Sequence, residues 1–234
     1  TEERVLIETV LFDLDNTLLD FDRAEHEALR QTLLHLCGYA PEEMLRRYNA
    51  INRAQWKLLE QGKLTRHEVK LRRFALLVDE FDIRVSVKKA ARQYEALLGI
   101  GHYYMEEVLK TLAPCYGLYI VTNGTASVQQ GRIGSAGLRQ WVRDIFISEE
   151  IGFDKPNPAY FEACFARIPG LQRQKTVIVG DSLSSDMQGG KNAGIGTIWF
   201  HPGKTPRENG PVPDHEIAAL RELEPLLRTL SIKK

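Results

Sequence analysis

The sequence is poor in the residues that build disulfide frameworks, zinc centres and membrane anchors. Its three cysteines, Cys37, Cys115 and Cys164, lie far apart without CxxC spacing. That excludes the usual cysteine patterns for a disulfide scaffold or a zinc site and fits a reducing compartment. No apolar run approaches the roughly 18 residues needed to cross a bilayer, and the acidic start of the sequence lacks the basic segment of an export signal. The expectation is a soluble, cytoplasmic protein with no membrane partner. Charge of one sign is also missing: lysine plus arginine and aspartate plus glutamate both number 31. Nothing in that balance recommends a nucleic acid polymer as partner. The histidines at 26, 35, 67, 102, 201 and 215 show no HxH or HExxH spacing, so each reads as a surface or helix residue.

What is present is a globular composition, 43% hydrophobic over 234 residues, enough for one large domain or a domain carrying an insertion. Residues 10 to 18 run Val-Leu-Phe-Asp-Leu-Asp-Asn-Thr-Leu, an apolar stretch that ends in two carboxylates. The run reads as a buried strand, which puts Asp13 and Asp15 where a strand leaves the sheet, the edge at which open α/β sheets take ligands. Strand alternation turns both acids to the same side, and two acids that close call for a cation or a shared proton. The plainer alternative for Asp15 is a cap for a helix starting near Leu18.

After Leu19 the pattern becomes helical. Leu29, Leu33 and Leu36 recur at helical spacing, as do Phe74, Leu77 or Val78, and Phe81. Thr65 and Glu68 have capping-box spacing, Pro41 suits a first turn, and Gly38, Gly62 and Gly99 mark helix ends. Four helices are predicted, about 22–37, 41–61, 65–81 and 85–98. Such a block, inserted after the strand that carries the acids, is expected to act as a lid. Tyr48, Asn52 and Trp56 share one helix face, which suits either a base or sugar site or ordinary packing.

The chain then returns to strands. A helix over 102–113 stopped by Pro114 precedes Leu118-Tyr119-Ile120-Val121, which ends in Thr122-Asn123-Gly124. A hydroxyl and backbone N–H groups there suit a phosphate, although Thr-Asn-Gly is equally a good turn. After a helix over 126–136 come a strand over 144–148 and Lys155-Pro156-Asn157-Pro158, with Asn157 and Pro158 as N-cap and first residue of a helix. Lys155 on that loop is either a solvated charge or the counter-ion that crowded acids and phosphate require. Strand 176–179 runs into Gly180-Asp181, and Asp186 follows near the start of a helix over 184–193, where a favourable dipole interaction alone would account for it. Strand 196–200, a loop over 202–213 and a helix over 215–230 close the chain. Strands alternating with helices predict an α/β fold with a parallel, Rossmann-like sheet.

Four pieces, Asp13-Leu14-Asp15-Asn16-Thr17, Thr122-Asn123-Gly124, Lys155-Pro156 and Gly180-Asp181 with Asp186, resemble in order the four signatures of the haloacid dehalogenase-like (HAD) superfamily in its phosphatase form. The resemblance implies a sheet of order 5-4-1-2-3, a core domain of residues 1–19 and 101–234, and a helical cap domain of residues 20–100. It also implies Asp13 as nucleophile, Asp15 as acid and base, and Thr122, Asn123 and Lys155 as phosphate ligands. Mg2+ would be held by the Asp13 side chain, the backbone carbonyl of Asp15 and Asp181, with Asp186 supporting it directly or through water and the Thr17 hydroxyl orienting the Asp15 loop. The stretch Tyr48 to Phe74 and the run Leu19-Asp20-Phe21-Asp22 resemble the pyrimidine 5′-nucleotidase branch, with Phe21, Asn52 and Trp56 as candidate substrate contacts. The expected substrate is a small phosphorylated metabolite, a pyrimidine nucleoside 5′-monophosphate first, with sugar phosphates or phosphoglycolate as the alternative. Phosphomutase chemistry and non-catalytic metabolite binding are the rival readings. Dehalogenation is not expected, because Asp15-Asn16 stands where the dehalogenase form has an aromatic residue and then glycine.

Overall fold

The computed structural model describes residues 6–104, 108–203 and 210–230. The chain divides into two units, one of Thr1–Phe21, Tyr103–Ala126 and Ala136–Lys234, the other of Asp22–His102 and Ser127–Ser135.

The first unit is built on six strands in the order β3-β2-β1-β4-β5-β6, all pairs parallel. They are β1 (Thr9–Phe12), β2 (Gly117–Thr122), β3 (Asp144–Ile147), β4 (Thr176–Gly180), β5 (Gly196–Phe200) and β6 (His215–Ile217). The order expected for the first five strands is the one observed, with β6 added at the β5 edge. β1 lies at the centre because Val10, Leu11 and Phe12 are wholly buried and need cover on both sides. Its register sets Phe12 against Ile120 of β2 and Val179 of β4, and the Asp13 N–H donates to the Val179 carbonyl at 2.9 Å. The residues that follow these three strands therefore emerge at one edge. On one side of the sheet Leu11, Val121, Phe146 and Ile178 pack with Phe161, Cys164, Met187 and Trp199.

Three segments depart from expectation. The helix predicted over 215–230 is instead β6 followed by a helix over Leu223–Thr229. Pro225 explains the late start: it has no N–H to donate and is tolerated only within a first helical turn. Of the helix predicted over 102–113, only Leu109–Leu112 is helical; Tyr104 forms an antiparallel bridge with Leu19, and residues 105–107 lie outside those described. The helix predicted over 184–193 begins as a π-helical turn, Leu183–Met187, and becomes α-helical at Gln188–Ala193. Residues 204–209 of the expected loop also lie outside those described.

The second unit contains α1 (Phe21–Cys37, from Asp22 onward), α2 (Glu42–Glu60), α3 (Arg66–Glu80) and α4 (Val87–Leu98). The Thr65 hydroxyl accepts the Glu68 N–H while the Glu68 carboxylate accepts the Thr65 N–H, so α3 opens on the expected capping box. Residues Ser127–Ser135, from the helix after β2, belong to this unit as well. Gly131 leaves no room for a side chain against the Gly99 backbone, and Arg132 Nε donates to the Gly101 carbonyl at 3.2 Å. Inside, Tyr48, Phe74 and Tyr94 form an aromatic triangle with ring centroids 5.1 to 5.5 Å apart.

Candidate active site

The site grows from the carboxyl ends of β1, β2 and β4. Asp13 is the first residue beyond β1 and is almost fully buried. Its Oδ1 accepts Lys155 Nζ at 2.7 Å and its Oδ2 accepts the Thr17 hydroxyl at 3.3 Å. The chain after Asp13 closes into a tight loop. Asn16 adopts φ +58°, a left-handed conformation that asparagine tolerates, and its Oδ1 accepts the Phe21 N–H at 2.9 Å. Asp15 sits within that loop, in bridge contact with Leu19, and adds to the repulsion on both Asp13 and Asp181. Thr17 therefore braces the Asp13 carboxylate directly.

Lys155 is buried, with each ammonium proton matched to an acceptor: Asp13 Oδ1 at 2.7 Å, Asp186 Oδ1 at 2.7 Å and the Val121 carbonyl at 2.8 Å. Burial alone would favour the neutral amine, but the facing Asp13 and Asp186 carboxylates outweigh it and raise the pKa. The loop bearing Lys155 is gripped by Asn123, whose side chain accepts the Lys155 N–H and donates to the Lys155 carbonyl, both at 2.8 Å. Asn192 holds the next residue through the Pro156 carbonyl at 3.0 Å. The Asn123 side chain thus ties down Lys155 at both its backbone N–H and its carbonyl. Thr122, the last residue of β2, is fully buried beside it in sequence.

Asp181 follows β4, and its backbone carbonyl accepts the Trp199 indole N–H at 2.7 Å. Asp186 Oδ2 accepts the Ser182 N–H at 3.1 Å. A side chain at Gly180 would collide with the Asp186 carboxylate, so the glycine is what lets that acid approach. Asp13, Asp181 and Asp186 each offer an oxygen within 4.8 Å of the others. Burial, then Lys155 pulling down and Asp186 and Asp15 pushing up, leave Asp13 raised to about 7. Burial, Asp13 and Asp186 push Asp181 well above the usual carboxylate range. One ammonium does not offset three carboxylates. Hard oxygen donors with uncompensated negative charge suit a divalent cation such as Mg2+. Asp186 belongs to this carboxylate group together with Asp13 and Asp181.

Of the candidate substrate contacts, Asn52 and Trp56 lie in the helical unit and Phe21 in the α/β unit. Asn52 is buried, donating to Glu25 Oε1 and accepting from Arg73 Nη1 at 3.1 Å. The Trp56 ring lies 5.6 Å from the Arg66 guanidinium, and the Phe21 N–H holds Asn16. Sequence reasoning missed the Asn123 and Asn192 holds and the Trp199 contact. A buried tryptophan seeks an acceptor for its N–H, which is the one signal that pointed to the last of these.

Residues 10–200 match the family described as haloacid dehalogenase-like hydrolase. YfnB of Bacillus subtilis, described as a HAD-hydrolase, is 37% identical over 94% of both chains. A magnesium-bound crystal structure of YfnB superposes with a TM-score of 0.90, covering 95% of this chain and 99% of that one. The pyrimidine 5′-nucleotidase PynA of Streptococcus pneumoniae is 35% identical over 92% of each chain. The glyceraldehyde 3-phosphate phosphatase of Methanopyrus kandleri is 30% identical over 97% of this chain and 99% of its own.

Proposed function

The chain belongs to the haloacid dehalogenase-like hydrolases, and from that premise we propose that it is a Mg2+-dependent phosphatase of small phosphate monoesters working through a phospho-aspartate. The observation that carries the reading is the buried Lys155 ammonium, held at 2.7 Å by both Asp13 and Asp186 next to Asp181. That is a site with fixed positive charge for an anion and spare negative charge for a cation.

In the first half-reaction an Asp13 carboxylate oxygen forms a bond to phosphorus as the ester P–O bond breaks, and Asp15 gives its proton to the leaving alkoxide. In the second, Asp15 takes a proton from water as the water oxygen bonds to phosphorus, and the Asp13–phosphorus bond breaks. The products are inorganic phosphate, the free alcohol and the starting carboxylate. Thr122, the Asn123 backbone N–H and Lys155 hold the phosphoryl oxygens. Asp13, Asp181 and the Asp15 carbonyl, with Asp186 in support, would hold Mg2+, which would supply charge compensation for the anionic phosphoryl group. The helical unit is assigned the choice of leaving group, as a cap domain.

A pyrimidine nucleoside 5′-monophosphate is the preferred substrate, supported by the similarity to PynA. The Methanopyrus relative favours a second reading, a phosphatase of small sugar phosphates. Phosphate release from a panel of nucleotides, sugar phosphates and an aryl phosphate tests both. Native protein with Mg2+ should release phosphate, fastest from a pyrimidine nucleotide, and Asp13→Asn should lower the rate by at least about a thousandfold. Undiminished release by Asp13→Asn removes Asp13 from the nucleophile role. An isomerised phosphosugar without free phosphate identifies a mutase instead.

A further inference from the structure

Trp199 contributes to neither the acids nor the phosphate ligands, yet it touches the backbone of the site. β5 pairs with β4 so that Trp199 stands opposite Gly180, one residue before Asp181. Beyond Gly180 the chain leaves the ladder and bends into the turn over Ser182 and Asp186, so the Asp181 carbonyl is outside regular strand pairing. The Trp199 indole N–H donates to it at 2.7 Å. The indole is itself immobilised. It is 6% exposed, packs in the core beside Met187, and stacks on His201 with ring centroids 4.1 Å apart and planes 12° from parallel.

We propose that Trp199 is a positioning residue for Asp181, fixing through its indole N–H the backbone from which that carboxylate faces the cation. Asp181 needs such a hold. Its carboxylate crowds Asp13 and Asp186, so the backbone that carries it has to be fixed for all three acids to face one ion. A neutral, rigid donor on an adjacent strand fixes it without adding charge. Groups that orient metal ligands from behind commonly govern metal affinity by tenfold or more.

The inference rests on the Mg2+ reading above, and calorimetry with MgCl2 alone separates the two. Trp199→Phe keeps an aromatic ring in the core and removes the N–H. The parent should bind Mg2+, and Trp199→Phe should bind it about tenfold more weakly or worse, with turnover recovering as Mg2+ is raised. Equal affinity in parent and variant overturns the role of Trp199 while leaving the metal reading intact. A parent that takes up no Mg2+ overturns both. A second measurement leaves Trp199 untouched: in Trp56→Phe/Trp141→Phe it is the sole indole, and its emission should move with MgCl2 at the calorimetric midpoint. Emission that stays constant through saturation overturns the proposal even if Trp199→Phe does not fold.

Discussion

Lys155 has all three ammonium protons engaged, on Asp13, Asp186 and the Val121 carbonyl. A phosphate oxygen that draws on this charge must share a proton already directed at a carboxylate, so lysine, acid and substrate act as one balanced set. Removing the cation uncovers two buried carboxylates, an arrangement that typically costs about 3–5 kcal/mol. Lys155→Met should therefore lower unfolding stability by that order in chemical denaturation. The loss should be larger at pH 8 than at pH 5, because an Asp13 that has taken up a proton needs no counter-ion. A variant as stable as the parent at pH 8 would show that the lysine is not compensating these acids. Asn123 illustrates the limit of reading single residues. Its place after Thr122 marked its N–H for phosphate, and its side chain has a further task that the sequence did not show, completing the backbone hydrogen bonding of a lysine distant in sequence.

Among the elements, the four helices α1 to α4 meet at an unusual interior. Glu25 of α1 is buried and accepts on one oxygen, Oε1, from Asn52 of α2 and from the Tyr94 hydroxyl of α4. Arg73 of α3 donates to Asn52 and lies 3.7 Å from Glu95. Burial raises the Glu25 pKa from 4.5 to about 7, against the opposing pull of Arg73, Tyr94 and Asn52. A carboxyl raised in the folded state stabilises fully below its unfolded value, and that contribution is lost as pH rises through about 7. Glu25→Gln preserves the accepting oxygen and removes the titration. It should leave stability unchanged near pH 4.5 and raise it by about 2–3 kcal/mol at pH 8, read by urea unfolding at the two pH values. An equal effect at both would rule out Glu25 as the titrating group. Elements whose signals are local were legible in the sequence: the Thr65–Glu68 box, the Asn157-Pro158 start, the apolar runs of β1, β2 and β4. The 215–230 segment was misread because Leu220, Leu223 and Leu227 keep helical spacing across a stretch that Pro225 prevents from being one helix. β6 forms there because the Asp214 carboxylate accepts from the backbone and hydroxyl of Thr197, both at 2.8 Å, and so brings residues 215–217 alongside β5. A tie between distant residues leaves no mark in local periodicity.

For the molecule as a whole, magnesium should act as a stabiliser as well as a reagent. A ligand bound only by the folded state at 100 times its Kd contributes about 2.7 kcal/mol, which in a chain of this size is an upward midpoint shift of roughly 5–10 °C. Thermal unfolding of the α/β unit should rise by that order on adding Mg2+ and return with chelator. Asp181→Asn should show little of the increment, and an equal shift in that variant would place the ion elsewhere. Alternating strands and helices made a parallel sheet readable, but its order, and with it the gathering of Asp13, Lys155 and Asp181 at one edge, was expected only through the family resemblance. The membership of Ser127–Ser135 in the helical unit was not, since it depends on close backbone approach at Gly99 and Gly131. The chain also leaves and rejoins the α/β unit at adjacent points, where the Asp20 N–H donates to the Tyr103 carbonyl at 2.7 Å and Leu19 bridges Tyr104. Topologically, residues 22 to 102 are a loop drawn shut at its neck by two ties, so a foreign segment with touching termini is a graft that the strand register of the host need never notice.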